Sequence, residues 1–266
     1  MTQSRGTTQQ VGSLLRAWRQ RRRLSQMDLA LEADISTRHL SFLETGRSQP
    51  SREMVLNLAT HLNVPLREQN LLLTAAGYAP VFPERPLHDP ALQAARKALD
   101  LILQGHEPYP ALLVDRHWNL QAMNRAIPAL LEGLPADLLH PPVNVLRLAL
   151  HPEGLAPRIE NLSAWREHLL ERLKRQVVLT ADAALIQLLT ELQSYPAPAR
   201  TRELAPFSDL AVPLKLRTPE GTLSFISTTT VFGTAVEVTL SELTLETFFP
   251  ADAFTLQVLQ NQQWKP

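Results

Sequence analysis

Two hydrophobic periods divide the chain. From Val11 to Gly77 the apolar positions recur at helical spacing. Val11, Leu14, Leu15 and Trp18 fall at i, i+3, i+4 and i+7, one buried helical face. Ser25 is placed to cap a second helix carrying Met27, Leu29, Ala30 and Ala33. Ser36 is placed to cap a third with Leu40 and Leu43 inward, ending at Gly46. A fourth opens at Pro50-Ser51 and carries Val55, Leu56, Ala59 and Leu62; a fifth follows Val64-Pro65 and runs to Gly77. Four prolines between Ala79 and Pro90 then stop helical propagation.

Beyond them a helix is predicted over 91–104, two short strands between 111 and 123, a helix from Asn124, and helices over 163–177 and 181–192. The last third is rich in Thr, Val, Phe and Leu. Its pattern predicts strands over 212–218, 221–232 and 236–249, the first two joined by a hairpin turn at Pro219-Glu220-Gly221. The predicted fold is α+β in two domains: a five-helix N-terminal domain over 8–78, a linker and connecting helix over 79–106, and a sheet with flanking helices over 107–262.

Charge sharpens this division. The net charge is zero, but ten arginines stand against six acids through Pro80, and 16 basic groups against 20 acids thereafter. A basic module on a mildly acidic body suits attraction to phosphate. The sequence contains no cysteine and no apolar run of about 18 residues, so neither disulfides nor a transmembrane helix are expected. The arginine-rich start also argues against a secretory signal. A cytoplasmic, nucleoid-associated protein that makes no use of a membrane is the expectation.

The segment from Ser25 to Gly46 carries the chemistry. Two helices crossing steeply need a small residue where their backbones meet, which Ala30 supplies, and a turn residue tolerant of positive φ, which is Asp34. Ile35 plugs the turn, and Leu40 and Leu43 anchor the second helix. That is helix-turn-helix logic. With Leu24-Ser25-Gln26, Glu44-Thr45-Gly46-Arg47 and Pro50-Ser51, the segment resembles the XRE (lambda-repressor-like) family over Gly12 to Gly77; the family's turn often has glycine where this chain has Asp34. With Leu40 and Leu43 inward, Thr37, Arg38, Ser41 and Phe42 fall on the opposite side of the third helix. Arg38 is the first choice for a base contact, because a guanidinium pairs two acceptors on guanine. The resemblance implies a phosphate contact at Gln26, and Arg47 and Ser48 are further phosphate candidates. Ser36 is a cap first and a contact second. Glu44 is expected to pair with an arginine of the first helix, such as Arg16.

In the larger domain, the order of strand pair, helices and antiparallel strands suggests a PAS-like sensor. The run Asn144–Leu150, the Trp165 helix, Phe232-Gly233-Thr234 and Phe248-Phe249-Pro250-Ala251-Asp252 resemble the MmyB-like ligand-binding region. That resemblance implies a pocket for a fatty acid or similar amphipathic molecule. From the residues themselves, Trp118, Met123, Phe225, Ile226, Val231 and Phe232 are candidates to line such a pocket, with Asn124, Thr228 or Arg147 as polar anchors. For any single one of these residues, plain core packing is the favoured explanation.

No G-x-S-x-G, P-loop, G-x-G-x-x-G or H-E-x-x-H motif is present, and with no cysteine or close histidine pair no metal site, cofactor or catalytic centre is expected. The reading is a sequence-specific transcription regulator binding double-stranded operator DNA as a homodimer, with a small apolar ligand modulating that binding. Two alternatives stay open: a C-terminal domain that serves only dimerisation or protein interaction, and an enzyme regulated by its own DNA-binding domain.

Overall fold

A computed structural model describes residues 3–197, 212–232 and 236–261, the side chains of 3–9 excepted. The chain divides into two compact units. One comprises the chain through Pro86 together with the short segment ending at Ser241. The other takes the rest.

In the first unit, α1 (Gln3–Arg21), α2 (Gln26–Glu32), α3 (Thr37–Glu44), α4 (Arg52–His61) and α5 (Leu66–Ala75) close around a core of Val11, Leu15, Leu29, Leu40, Leu43, Val55, Leu58 and Leu72. Three helices start on a serine whose hydroxyl accepts a backbone N–H three residues on: Ser25 from Asp28, Ser36 from His39 and Ser51 from Met54. At Ser25 the box is reciprocal, since Asp28 accepts the Ser25 N–H at 2.9 Å. Those bonds hold the Asp28 carboxyl below its ordinary range. Asp34 adopts φ 54° in the turn, in the left-handed region its side chain tolerates better than most. Gly12 lies where α1 meets the end of α3; a Cβ there would fall 2.3 Å from the Leu43 carbonyl oxygen.

The second unit carries α6 (Gln93–Gly105), β1 (Ala111–Val114), β2 (Leu120–Met123), α7 (Ala126–Leu131), α8 (Val145–Leu150), α9 (Leu162–Thr180), α10 (Ala183–Ser194), β3 (Leu214–Thr218) and β4 (Gly221–Val231). After β4 the chain forms α11 (Val238–Ser241), which belongs to the first unit, then returns as β5 (Thr244–Pro250) and ends in α12 (Ala253–Asn261). The five strands form one antiparallel sheet in the order β2-β1-β5-β4-β3. Trp165, Leu169 and Leu173 of α9 and Leu185, Leu188 and Leu192 of α10 share a core with Leu112, Val114 and Leu216 of the sheet.

The strand expected over 236–249 is corrected. Its first part is a helical turn because Glu237 Oε2 accepts the Leu240 N–H at 2.8 Å, and the strand begins only at Thr244. Gly233 and Thr234 lie outside the described residues.

Candidate functional site

The DNA-facing candidates converge on α3 and the loop after it. Thr37, Arg38 and Arg47 are exposed, and Ser41, Phe42 and Ser48 are half-buried. The arginines on either side of Phe42 share its ring: the guanidinium carbons of Arg38 and Arg47 lie 5.3 and 5.8 Å from its centroid. Such stacking on an aromatic face narrows where each cation can reach. The loop is set by Gly46 at φ 71° and by the Arg47 and Ser48 N–H groups donating to the Phe42 carbonyl at 2.8 and 3.2 Å. Ser36 is exposed, and its hydroxyl caps α3.

Behind this face, Glu44 ties three helices together. Arg19 Nε and Nη2 donate to its two carboxylate oxygens at 2.6 and 2.8 Å, and Gln26 Nε2 donates to Oε2 at 2.8 Å. The carboxylate raises the Arg19 pKa. The partner is therefore Arg19 rather than Arg16. Arg19 stands four residues beyond Leu15 on the buried stripe, whereas Arg16 faces solvent.

The second unit encloses a cavity of about 110 Å³ between α7, α8 and α9 and one face of the sheet. Its wall is apolar (Leu112, Ile127, Val145, Trp165, Leu169, Phe248 and similar residues) apart from Arg172, Glu246 and Ser227 and the polar edge of Trp118. Arg172 on α9 and Glu246 on β5 form a two-pronged ion pair, with Nη1 to Oε2 at 3.0 Å, and Thr229 adds a bond to the carboxylate. The guanidinium carbon of Arg172 also lies 4.5 Å over the Trp118 ring, whose Nε1–H donates to Gln176 at 2.8 Å. His168, stacked on Trp165, has its pKa lowered by burial first and then by Arg172 and Arg175, so it stays neutral beside this pair. An apolar hollow with one fixed charge pair at its wall accepts an apolar group and presents a polar anchor to one end of it.

Residues 95–261 match the family model described as the MmyB-like transcription regulator ligand binding domain. The chain belongs to this family. Residues 10–72 match a helix-turn-helix domain model. Among solved structures, one of the clp gene regulator ClgR from C. glutamicum is 27% identical over 27% of this chain and 90% of its own, with a TM-score of 0.24. A second structure of that regulator, from Corynebacterium glutamicum, is 26% identical over 38% of this chain and 95% of its own, also at 0.24. At that TM-score neither adds to the assignment. Among curated proteins none matches. The molecule is thus a helix-turn-helix DNA-binding transcription regulator that carries an MmyB-like ligand-binding domain. Among the described residues no helix is long and apolar enough to cross a membrane.

Within the MmyB-like domain the structure sorts the residues singled out from sequence. Trp118 and Phe225 line the cavity. Seven others do not: Ile226 and Val231 of β4 are exposed, and the remaining five are placed elsewhere. Asn124 is buried as a backbone clip, accepting from the Ala111 N–H at 3.1 Å and donating to the Tyr109 and Leu103 carbonyls at 2.7 and 3.3 Å. Arg147 pairs in two bonds of 2.7 Å with Glu191, which lowers the Glu191 pKa. Burial and the 2.6 Å bond to Glu191 push Tyr195 up to about 12. Thr228 shares a 2.6 Å hydroxyl bond with Thr247 across β4 and β5. Met123 is largely exposed at the end of β2, and half-buried Phe232 follows β4, away from the cavity wall.

The cavity's charged pair was missed, although both signals stood in the sequence. Arg172 falls seven residues after Trp165 and three after Leu169, a cation on an otherwise apolar helical stripe. Glu246 is the only acid in the strand Thr-Leu-Glu-Thr-Phe-Phe-Pro. A charge at a core position of each of two elements implies a partner.

Proposed function

We propose that this regulator binds a specific operator as a homodimer and that a small, largely apolar ligand with a polar head, fatty-acid-like in character, adjusts its operator affinity. The observation that carries the ligand reading is the cavity: apolar on nearly every side, with the Arg172–Glu246 pair and Ser227 as its main polar groups. An anionic head would compete with Glu246 for Arg172, while the apolar body occupies the space beside Trp165 and Leu169. Size narrows the choice. About 110 Å³ approaches the roughly 150 Å³ that holds a benzene-sized guest and lies well under the roughly 300–1,000 Å³ of drug-sized pockets. A short or branched acyl group is the best fit to the wall as it stands, and a long chain requires leucines of α7 and α8 to move. For DNA, Arg38 reads a base edge, while Gln26, Arg47 and Ser48 hold phosphates, with Thr37 and Ser41 beside them.

The test is mass spectrometry of the purified protein in native form and after denaturing extraction, followed by operator binding with and without the species released. A bound acyl compound that alters operator affinity supports the reading. A dimer that carries no such compound, and stays empty after exposure to fatty acids of graded length, would move the domain to a purely structural or partner-binding role.

A further inference from the structure

The connection between β4 and β5 has a feature the ligand pocket does not require. Both flanking strands wall the cavity, β4 through Phe225 and Ser227 and β5 through Glu246 and Phe248. Yet the described part of their connection just before β5, Val236–Ser241, belongs to the DNA-binding unit. There it is bound at several points to the backbone that follows α5. The buried carboxylate of Glu237 accepts the Arg85 N–H at 2.8 Å. The N–H of fully buried Val238 donates to the Pro83 carbonyl at 2.8 Å, and the Thr239 hydroxyl donates to the Arg85 carbonyl at 2.6 Å. The backbone just before, at Val81 and Phe82, is held by Asn70 of α5 through three bonds of 2.8 to 3.1 Å. Helix α5 in turn closes the core on which α3 rests, through Leu72 and Leu73.

We propose that this connection couples the cavity to the DNA-binding unit. The coupling rests on the reading that the cavity takes a ligand. Only Glu242 and Leu243 separate Ser241 from the first residue of β5, and Glu246 stands two residues further on. Two extended residues span about 7 Å at most, so a slip of β5 by one residue cannot be absorbed there. A ligand that parts Arg172 from Glu246 or displaces Phe248 shifts β5 and pulls on α11. The bonds of Glu237, Val238 and Thr239 pass that pull to Pro83–Arg85 and so to α5. The coupled element is a short stretch of backbone with specific partners, not a diffuse surface.

Hydrogen exchange of the full chain, read at the amides of Arg85 and Val238, tests this with two separate perturbations of the cavity. One is isovaleric acid, a short branched acid, as probe; the other is Phe248→Leu, with Ser227→Val as a second cavity change should the first fail to fold by circular dichroism. Each perturbation is expected to change exchange at both amides by about fivefold or more, the lower end of ordinary coupling. The change is expected to vanish at Arg85 in Thr239→Val, which leaves Glu237 as acceptor of the Arg85 N–H. Cavity variants that fold and leave both amides within twofold of the parent chain overturn the coupling. If Phe248→Leu moves the amides while isovaleric acid neither binds in native mass spectrometry nor moves them, the coupling stands and the short-acyl reading falls.

Discussion

The two units solve opposite problems. The DNA-binding unit fills its interior, with Val11, Leu15, Leu40, Leu43, Val55 and Leu58 all fully buried, and leaves the cations Arg38 and Arg47 exposed on its surface. The MmyB-like domain does the reverse: it leaves space inside and turns its distinctive charges, Arg172 and Glu246, toward that space. Each unit also ties an arginine to a buried glutamate, Arg19 to Glu44 and Arg172 to Glu246, but to different ends. Arg19–Glu44 is sealed among helices and satisfied by Gln26 and the Leu24 carbonyl. Arg172–Glu246 borders a cavity and has somewhere to go. A buried pair contributes to rigidity when its surroundings are full and to responsiveness when they are not.

The sharpest way to break that comparison is to remove one partner of each pair. Arg19→Ala strands Glu44 without its main counter-charge and is expected to cost the DNA-binding unit about 3–5 kcal/mol, read as loss of protected amides in α1–α5 during urea titration. Replacing both Arg19 and Glu44 by Met and Leu should recover most of it. Arg172→Met is expected to cost less, about 2–3 kcal/mol, because the Arg172 side chain is itself partly exposed and Thr229 still donates to Glu246, and to abolish binding of a carboxylate ligand by calorimetry. Equal losses at the two sites would erase the distinction.

On the outer face, Arg38→Ala is expected to relax base preference at one operator position by about 1–3 kcal/mol. Gln26→Ala should instead weaken binding on all sequences alike, as fluorescence anisotropy on a panel of operator variants would show. If both variants lost affinity uniformly, the assigned orientation of α3 would be wrong.

The smallest effect is that of pH. Burial lowers the pKa of His106 and of His168, the latter helped by Arg172 and Arg175, from an ordinary 6.5. Below that value the unfolded chain takes up protons the folded chain refuses, so this contribution is full above pH 6.5 and is lost as pH falls. Thermal melts between pH 7.5 and 5.5 should show the MmyB-like domain weakening, and His168→Gln should flatten the slope. The DNA-binding unit should change little over the same range.

The same contrast explains what the sequence disclosed. In the DNA-binding unit the relations that set the helices and the exposed face are local: Ser25 with Asp28, Ser36 with His39, Asp34 between two helices, Leu40 and Leu43 on one stripe. A periodic pattern read in short windows therefore reaches the fold and the exposed face together. The arginine of the first helix that Glu44 was expected to pair with is Arg19, on the stripe, rather than Arg16 beside it, and Leu14, read into the buried face, lies exposed at its edge. In the MmyB-like domain the alternation of β4 and the α9 and α10 stripes were legible, but the cavity gathers residues from Leu112 to Phe248, more than a hundred positions apart. No short-range pattern contains that convergence. Asn124, Arg147 and Thr228 looked like polar anchors because a side chain that clips backbone or pairs across strands has the same composition as one that greets a ligand. Val236–Ser241 read as strand because Val-Glu-Val-Thr-Leu alternates, and only the Glu237 carboxylate, capping its own segment, turned it helical.

That last segment bears on how such a protein can be recombined. A gene divided once at the codon for Pro86 would separate the helix-turn-helix from the ligand-binding domain along the chain, yet it would leave α11 on the wrong side of the division. The DNA-binding half would then carry the Pro83 and Arg85 carbonyls and the Arg85 N–H without the groups that satisfy them, and the other half would expose Val238, which is fully buried here. Exchange of ligand-binding domains among regulators of this build is therefore not a matter of cutting the linker. The β4–β5 connection and the proline-rich segment that receives it have to travel, or change, as a matched pair.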